Sequence, residues 1–160
     1  MEQIRHDVEQ GLETLLPRLW RFAVTVTKDD TKAEDLVQDT CVRALQHADK
    51  FRAGTHLDRW CFTIMANIWR SSFRRKTPDL IEDEALNRVA SQSPTPEASL
   101  YARQVLDQVD QLAEGQREVI VLVYGEGFAY KEAAAILDIP IGTVMSRLHA
   151  ARSKLAHLAH

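Results

Sequence analysis

Residues 128–155 read FAYKEAAAILDIPIGTVMSRLHAARSKL and predict two short helices separated by a tight turn around 138–140. One stripe of the second helix is apolar, because its members recur at steps of three and four: Ile141, Val144, Leu148, Ala151 and Leu155. Surface helices usually carry Glu and Lys opposite such a stripe, whereas this one carries small, hydroxyl and basic residues. The pattern is typical of a helix-turn-helix, which places its second helix in the major groove of DNA. An ordinary helical hairpin fits it as well.

Overall composition places the chain among ordinary globular proteins. Of its 160 residues, 27% are charged and 45% are hydrophobic. No apolar run approaches the roughly 18 residues that a membrane span needs. The N-terminal stretch MEQIRHDVEQ is polar and has no signal-peptide core. We therefore expect a cytoplasmic protein with no membrane insertion.

Acidic charge is concentrated in the middle of the chain. Residues 1–76 carry 13 basic and 11 acidic side chains (net +2), residues 77–100 carry one and five (net −4), and residues 101–160 carry six and seven (net −1). Three of the five prolines lie in the acidic stretch, and proline does not fit a helix interior. We predict an acidic, Pro/Ser-containing linker over 77–99 between small domains at 1–76 and 100–160; a surface loop of this length inside one domain is uncommon.

The apolar periodicity of the N-terminal part predicts helices, and no alternating strand pattern occurs there. We therefore expect an all-α chain. A helix that Asp29, Asp30 or Thr31 could open presents a polar, mostly acidic face. After a turn at Gly54, a third helix has an apolar stripe that includes Trp60, Ile64 and Ile68 and then ends in basic residues. Aromatic residues beside a basic helix end suit nucleic acid, but such an end also simply complements the helix dipole.

Nothing in the sequence predicts covalent chemistry. The six glycines are dispersed, and we find no pairing of a nucleophile with a base. Cys41 and Cys61 are interpreted as reduced core thiols, with a redox pair as the unsupported alternative. His157 and His160 lack further ligands at metal-binding spacing. We expect no enzyme activity, no metal, no cofactor and no small-molecule substrate.

Two longer stretches together resemble a known family. Residues 34–75 (EDLVQDTCVRALQHADKFRAGTHLDRWCFTIMANIWRSSFRR) are similar to the region-two domain of bacterial sigma factors, and residues 106–155 are similar to their region-four domain. The short linker without a middle domain resembles the extracytoplasmic-function (ECF) group. GFAYKEAAAI is similar to the subgroup that runs the general stress response. The resemblance implies three partners, namely bacterial core RNA polymerase, promoter DNA and an anti-sigma protein.

The resemblance also implies a role for each candidate residue. Core polymerase would bind the polar face that contains Asp35, Gln38 and Asp39. The minus-ten element would be held by a pocket in the turn near Arg52 and His56 and by four side chains of the third helix, namely Asn67, Arg70, Arg74 and Arg75. The minus-thirty-five element would be read from the last helix by Gly142, Thr143, Met145, Ser146, Arg147, His149 and Arg152, with Arg152 on the backbone.

The chain departs from the family pattern at three positions, two of which are candidate residues. Met145 replaces the usual lysine, Ala66 replaces a frequent arginine, and His56 stands where a small polar residue is common. Loss of the lysine charge should weaken contact with DNA and lower the salt dependence of binding. Two alternatives stay open, namely a stand-alone helix-turn-helix regulator and a sigma-like decoy that captures an anti-sigma factor.

Overall fold

The structure, a computed structural model, describes residues 2–73, residue 104 and residues 107–158. Every regular element in this described part is helical, so the all-α prediction is confirmed. The α-helices are α1 (Glu2–Thr27), α2 (Asp30–Gln46), α3 (Leu57–Ile68), α4 (Glu114–Ile120), α5 (Tyr130–Leu137) and α6 (Ile141–Leu158). Two of them continue in a π-helical turn, α3 over Trp69–Phe73 and α4 over Val121–Gly125. The predicted linker at 77–99 lies outside the described residues.

The N-terminal half is a bundle in which α1 packs on α2 and α3. The predicted start of α2 is confirmed, because the carboxylate of Asp29 accepts the backbone N–H of Lys32 at 2.9 Å and caps the helix. At the turn before α3, Gly54 has a φ of +83°, a conformation that residues with a Cβ rarely adopt. This turn brings α3 back against both α1 and α2.

The buried side of α3 is wider than the predicted stripe. Trp60 and Ile64 are only partly buried, and the Trp60 ring packs on Phe51 with 5.3 Å between centroids. Ile68 is buried as predicted, and the other fully covered side chains are Cys61, Phe62, Met65 and Ala66. The reason is that α3 packs against α5 of the C-terminal half as well as against α1 and α2.

Aromatic rings join the two halves into one continuous core. The ring of Phe62 is fully buried and meets Phe22 of α1 edge-to-face at 5.8 Å. On its other side it meets Phe128, just before α5, at 5.4 Å. Such pairs contribute about 0.5–1.5 kcal/mol beyond their burial. The C-terminal half therefore packs directly on α1 and α3, while the division into domains 1–76 and 100–160 stays a prediction.

Candidate nucleic-acid interface

Helices α5 and α6 form the predicted helix-turn-helix. The backbone N–H of Ala129 donates to the Glu132 carboxylate at 2.7 Å, which caps α5 at its start. α5 ends at Leu137, and the next residue, Asp138, has a φ of 55°, a left-handed conformation that stops the helix. The apolar stripe of α6 is fully covered at Val144, Leu148 and Ala151. α6 is thereby fixed against α4 and α5, and its other side faces outward.

Five of the seven predicted residues of α6 are exposed, namely the four given next and Arg152. Gly142, Met145, Ser146 and His149 are exposed, and Thr143 is partly buried. A Cβ at Gly142 would meet nothing within 4 Å, so a large group can approach the backbone there. The hydroxyl of Ser146 donates to the carbonyl of Gly142 at 2.9 Å and keeps an acceptor free for a ligand.

Arg147 points along the protein surface toward α4. A Cβ built on Gly115 would lie 3.0 Å from Cζ of Arg147, so the guanidinium rests on the backbone of the first turn of α4. The residue is partly buried in this position. Base reading by Arg147 remains a prediction, and it requires the side chain to leave this contact.

Arg152 is exposed, and its Nη1 donates to Oη of Tyr124 at 2.8 Å. The side chains of Tyr124 first and then Tyr130 raise the pKa of Arg152. Neither tyrosine was predicted from the sequence, since one lies in a π-helical turn that no local pattern marks.

The predicted minus-ten residues divide into two groups in the described structure. Arg52 and His56 are exposed on the turn, where the Thr55 hydroxyl donates to the Arg52 carbonyl at 2.6 Å. Arg70 donates both to the side-chain oxygen of Asn67 and to the backbone carbonyl of Leu137 at the end of α5. Arg70 is therefore engaged by the C-terminal half, and Asn67 is held by Arg70. Arg74 and Arg75 lie outside the described residues.

The polar face of α2 is exposed as predicted. Asp35, Gln38 and Asp39 all reach solvent, and the Gln38 amide is at the limit of a hydrogen bond to Glu34 at 3.5 Å. Val42 continues the same face and is 52% exposed. Val42 lies four residues after Gln38, so helical periodicity places it on the same face. Only the polar residues of this face were predicted as contacts. An apolar group inside a polar face favours a protein partner.

Other kinds of site have no support in the described part of the chain. Cys41 and Cys61 are free thiols, and burial raises the pKa of Cys41. Burial first, and then Cys41 and Asp58, raise the pKa of Cys61 to about 12. No group of three potential metal ligands occurs among the described residues. None of the described helices is long and apolar enough to span a membrane.

Comparison with known proteins identifies the family. Sigma-70 region 2 matches residues 12–78, and Sigma-70, region 4 matches residues 102–155. The ECF RNA polymerase sigma factor EcfG of Rhodopseudomonas palustris (strain TIE-1) is 36% identical over 146 residues, which cover 91% of this chain and 81% of that relative. The chain belongs to the ECF sigma factors of bacterial RNA polymerase. As a sigma factor it directs core polymerase to promoters, and sigma factors are DNA-binding regulators rather than enzymes.

Further relatives match this sigma factor through both halves. SigL of Mycobacterium tuberculosis (strain ATCC 25618 / H37Rv) is 34% identical over 82% of this chain and 76% of its own. The sigma factor RpoE from Bartonella quintana, solved with the anti-sigma factor NepR, has a TM-score of 0.79 and 35% identity, covering 96% of both chains. CnrH, solved with the cytosolic domain of CnrY, has a TM-score of 0.71 and 27% identity, covering 99% of this chain and 93% of CnrH.

Ion pairs also connect the two halves of this sigma factor. The Glu126 carboxylate, with no exposed side-chain area, accepts Nε of Arg18 at 2.6 Å and Nη2 of Arg21 at 3.2 Å. Arg18 also reaches Asp58 at 3.3 Å. Burial alone lowers the pKa of Arg18, but hydrogen bonds and charges from Glu126 and Asp58 outweigh it and raise that pKa. Glu126 thus links α1 to the segment between α4 and α5.

Two more polar contacts join α3 and its π-helical turn to the C-terminal half. Arg59 pairs with Glu132 of α5 at 2.5 Å, and Nε1 of Trp69 donates to Glu118 of α4 at 3.1 Å. Sequence analysis missed all of these residues, because the partners lie tens of residues apart and no local spacing relates them. They hold the predicted minus-ten helix against the helix-turn-helix.

Proposed function

We propose that this sigma factor reads the minus-thirty-five element with the outward side of α6. The observation that carries the proposal is charge: α6 has no acidic side chain in any of its 18 residues. A helix that enters the major groove lies between two rows of phosphates, so each carboxylate on it would be repelled. An exposed α6 without carboxylates has the charge and the small leading residues that this position requires.

The exposed face of α2 is the proposed docking site for core polymerase. Asp35 and Asp39 would be repelled by DNA, so this face is suited to a protein surface with basic character. Val42 supplies an apolar contact within the charged face. A polymerase contact here leaves the turn at 52–56 and α3 available for the minus-ten element.

Minus-ten binding requires the two halves to separate at α3. With the two halves packed together, Nη1 of Arg70 donates to the Leu137 carbonyl and Nη2 to the side-chain oxygen of Asn67, so the guanidinium is held against the end of α5. The structure of this chain is similar over nearly its whole length to RpoE, which was solved with the anti-sigma factor NepR, and to CnrH, which was solved with the cytosolic domain of CnrY. We infer that an anti-sigma protein holds this sigma factor in the packed form, in the cytoplasm where its polymerase partner works.

The two alternatives make different predictions. A stand-alone regulator needs only the C-terminal half, whereas the relatives match through both halves. A decoy binds an anti-sigma protein but supports no transcription. Assignment to the general-stress-response subgroup stays a prediction.

The α2 face provides the sharpest test of the sigma-factor proposal against a stand-alone regulator. Labelled full-length chain is titrated with bacterial core RNA polymerase, and the double variant Asp35→Ala, Gln38→Ala is compared with Glu13→Ala, which removes an exposed carboxylate from α1. The proposal expects the double variant to bind at least tenfold more weakly and the control to bind like the wild type. Equal binding by all three chains would remove α2 as the docking face.

A further inference from the structure

A glycine inside α1 makes room for the first residue of α3. A Cβ built on Gly11 would overlap Cδ2 of Leu57 and lie 3.5 Å from its Cγ, so only glycine lets this side chain come so close to α1. Glycine well inside a 26-residue helix is unfavourable, because it loses more backbone freedom on folding than alanine does. This gap in α1, the Gly11 notch, therefore has a packing purpose, and Leu57 fills it.

Leu57 fixes the start of α3. It is the first residue of that helix, and it packs against the hydrophobic core. His56 occupies the N-cap position, but its side chain makes no capping hydrogen bond in the described part of the chain. Asp58, the residue after Leu57, binds Arg18 of α1 at 3.3 Å. The first turn of α3 is therefore held against α1 by two side chains and not by a side-chain cap.

The exposed turn at 52–56 is supported at both ends. Ahead of it, the 3₁₀ turn Ala48–Lys50 packs on α1, and Phe51 packs on Trp60 with 5.3 Å between centroids. Behind it stands Leu57 in the Gly11 notch. All five residues between these supports are exposed, so the turn has little packing of its own. A shift of either support is therefore passed to the turn, which is the least restrained segment next to it.

We propose that Gly11 is a positioning residue for the minus-ten pocket. By seating Leu57 it sets the place of the turn at 52–56, which would hold a base flipped out of the strand. Such a pocket has to be held within about 0.5 Å of its productive geometry. A methyl group added at Gly11 displaces Leu57 and carries the turn out of place. The inference rests on the proposed function, because it requires the turn to bind the minus-ten element.

The test measures base recognition by holoenzyme that is assembled from core polymerase and the full chain. The probe is a fluorescent single strand with the non-template minus-ten sequence of a promoter found by run-off transcription. In a set of further strands, each base in turn is replaced by an abasic site. The ratio of the affinities for the intact strand and the strand without the flipped base measures the pocket, whereas affinity for core polymerase reports the fold. Gln10→Ala is the matched control, since it changes an exposed residue next to Gly11.

The positioning role predicts a pattern across the variants. In the wild type, loss of the flipped base should weaken binding about tenfold or more. In Gly11→Ala this ratio should fall to about threefold, with unchanged affinity for core polymerase, because the pocket is misplaced. Leu57→Ala leaves the notch empty and should also lower the ratio. The double variant should exceed either single variant, because removal of Cγ and Cδ2 leaves room for the added methyl group. Gln10→Ala should keep the wild-type ratio.

The contrary results are distinguishable from one another. If no abasic site weakens binding of the wild type, the proposed minus-ten role of the turn fails and the positioning role fails with it. If the wild type distinguishes the strands and Gly11→Ala does so equally well, Leu57 adjusts without moving the turn, and only the positioning role is wrong. If Gly11→Ala no longer binds core polymerase and Leu57→Ala keeps the full ratio, Gly11 serves the fold alone and the proposal is overturned.

Discussion

Substitution of Glu126 by alanine should open the contact between the two halves. The carboxylate is fully covered and receives hydrogen bonds from Arg18 at 2.6 Å and Arg21 at 3.2 Å. A hydrogen bond to a charged group contributes about 1.5–3 kcal/mol when partly buried. The Arg21 side chain is 56% exposed, so its contribution is screened to about 0.5 kcal/mol. Arg18 is 30% exposed and keeps Asp58 as a partner, which limits the loss further.

The combined loss for Glu126→Ala is about 2–3 kcal/mol, which shifts the equilibrium between packed and separated halves about 30- to 140-fold. Single-molecule energy transfer between dyes at Gln46 and Ala156, both exposed, measures this equilibrium directly. Glu9→Ala is the control, because its pair with Arg5 at 3.7 Å is exposed and lies within α1. The reasoning fails if Glu126→Ala populates the separated form no more than Glu9→Ala does.

Three further predictions concern single residues. Phe62→Ala should lower the free energy of unfolding, measured by urea titration, by about 3–5 kcal/mol, because the ring is fully buried between Phe22 and Phe128. A loss below about 1 kcal/mol would show that the two halves do not share this core. At pH 8 the thiolate fraction of Cys61 should be about a thousandfold lower than in the unfolded chain, because its pKa is raised from 9.0 to about 12. Mass spectrometry after iodoacetamide treatment should therefore find Cys61 unmodified until urea is added. Rapid labelling of the folded chain would contradict the burial of Cys61. Met145→Lys should steepen the salt slope of promoter binding by about 0.9, and an unchanged slope would mean that position 145 does not face a phosphate.

The raised pKa of Cys61 also has a consequence for stability against pH. A thiol whose pKa is raised on folding stays neutral in the folded chain while the unfolded chain ionises. Its contribution to stability is therefore complete below about pH 9 and is lost as the pH rises toward about 12. Cys61→Ser should flatten this alkaline loss in urea titrations between pH 8 and 10.

Features that rest on local spacing were predictable from the sequence. The capping role of Asp29, the turn at Gly54 and the covered stripe of α6 each depend on residues within one or two helical turns of one another. The exposed face of α2 followed from the same periodicity. These features predicted the all-α fold, whereas the family followed from the resemblance of residues 34–75 and 106–155 to sigma factors.

Features that depend on contact between distant segments were not predictable. Arg18 and Glu126 are 108 residues apart, and neither stands in a pattern that distinguishes it from a solvated charge. Arg147 was predicted to face DNA because its position on α6 is outward, but its long side chain lies along the surface on Gly115. Periodicity gives the direction of Cβ and leaves the end of a flexible side chain undetermined.

Run-off transcription with bacterial core polymerase, genomic fragments and this chain tests the central claim most directly. We expect discrete transcripts that are absent with core polymerase alone. They should persist with Glu13→Ala and be lost with the double variant Asp35→Ala, Gln38→Ala. No transcript from any fragment, together with no measurable binding to core polymerase, would contradict the account of this chain as a promoter-directing sigma factor.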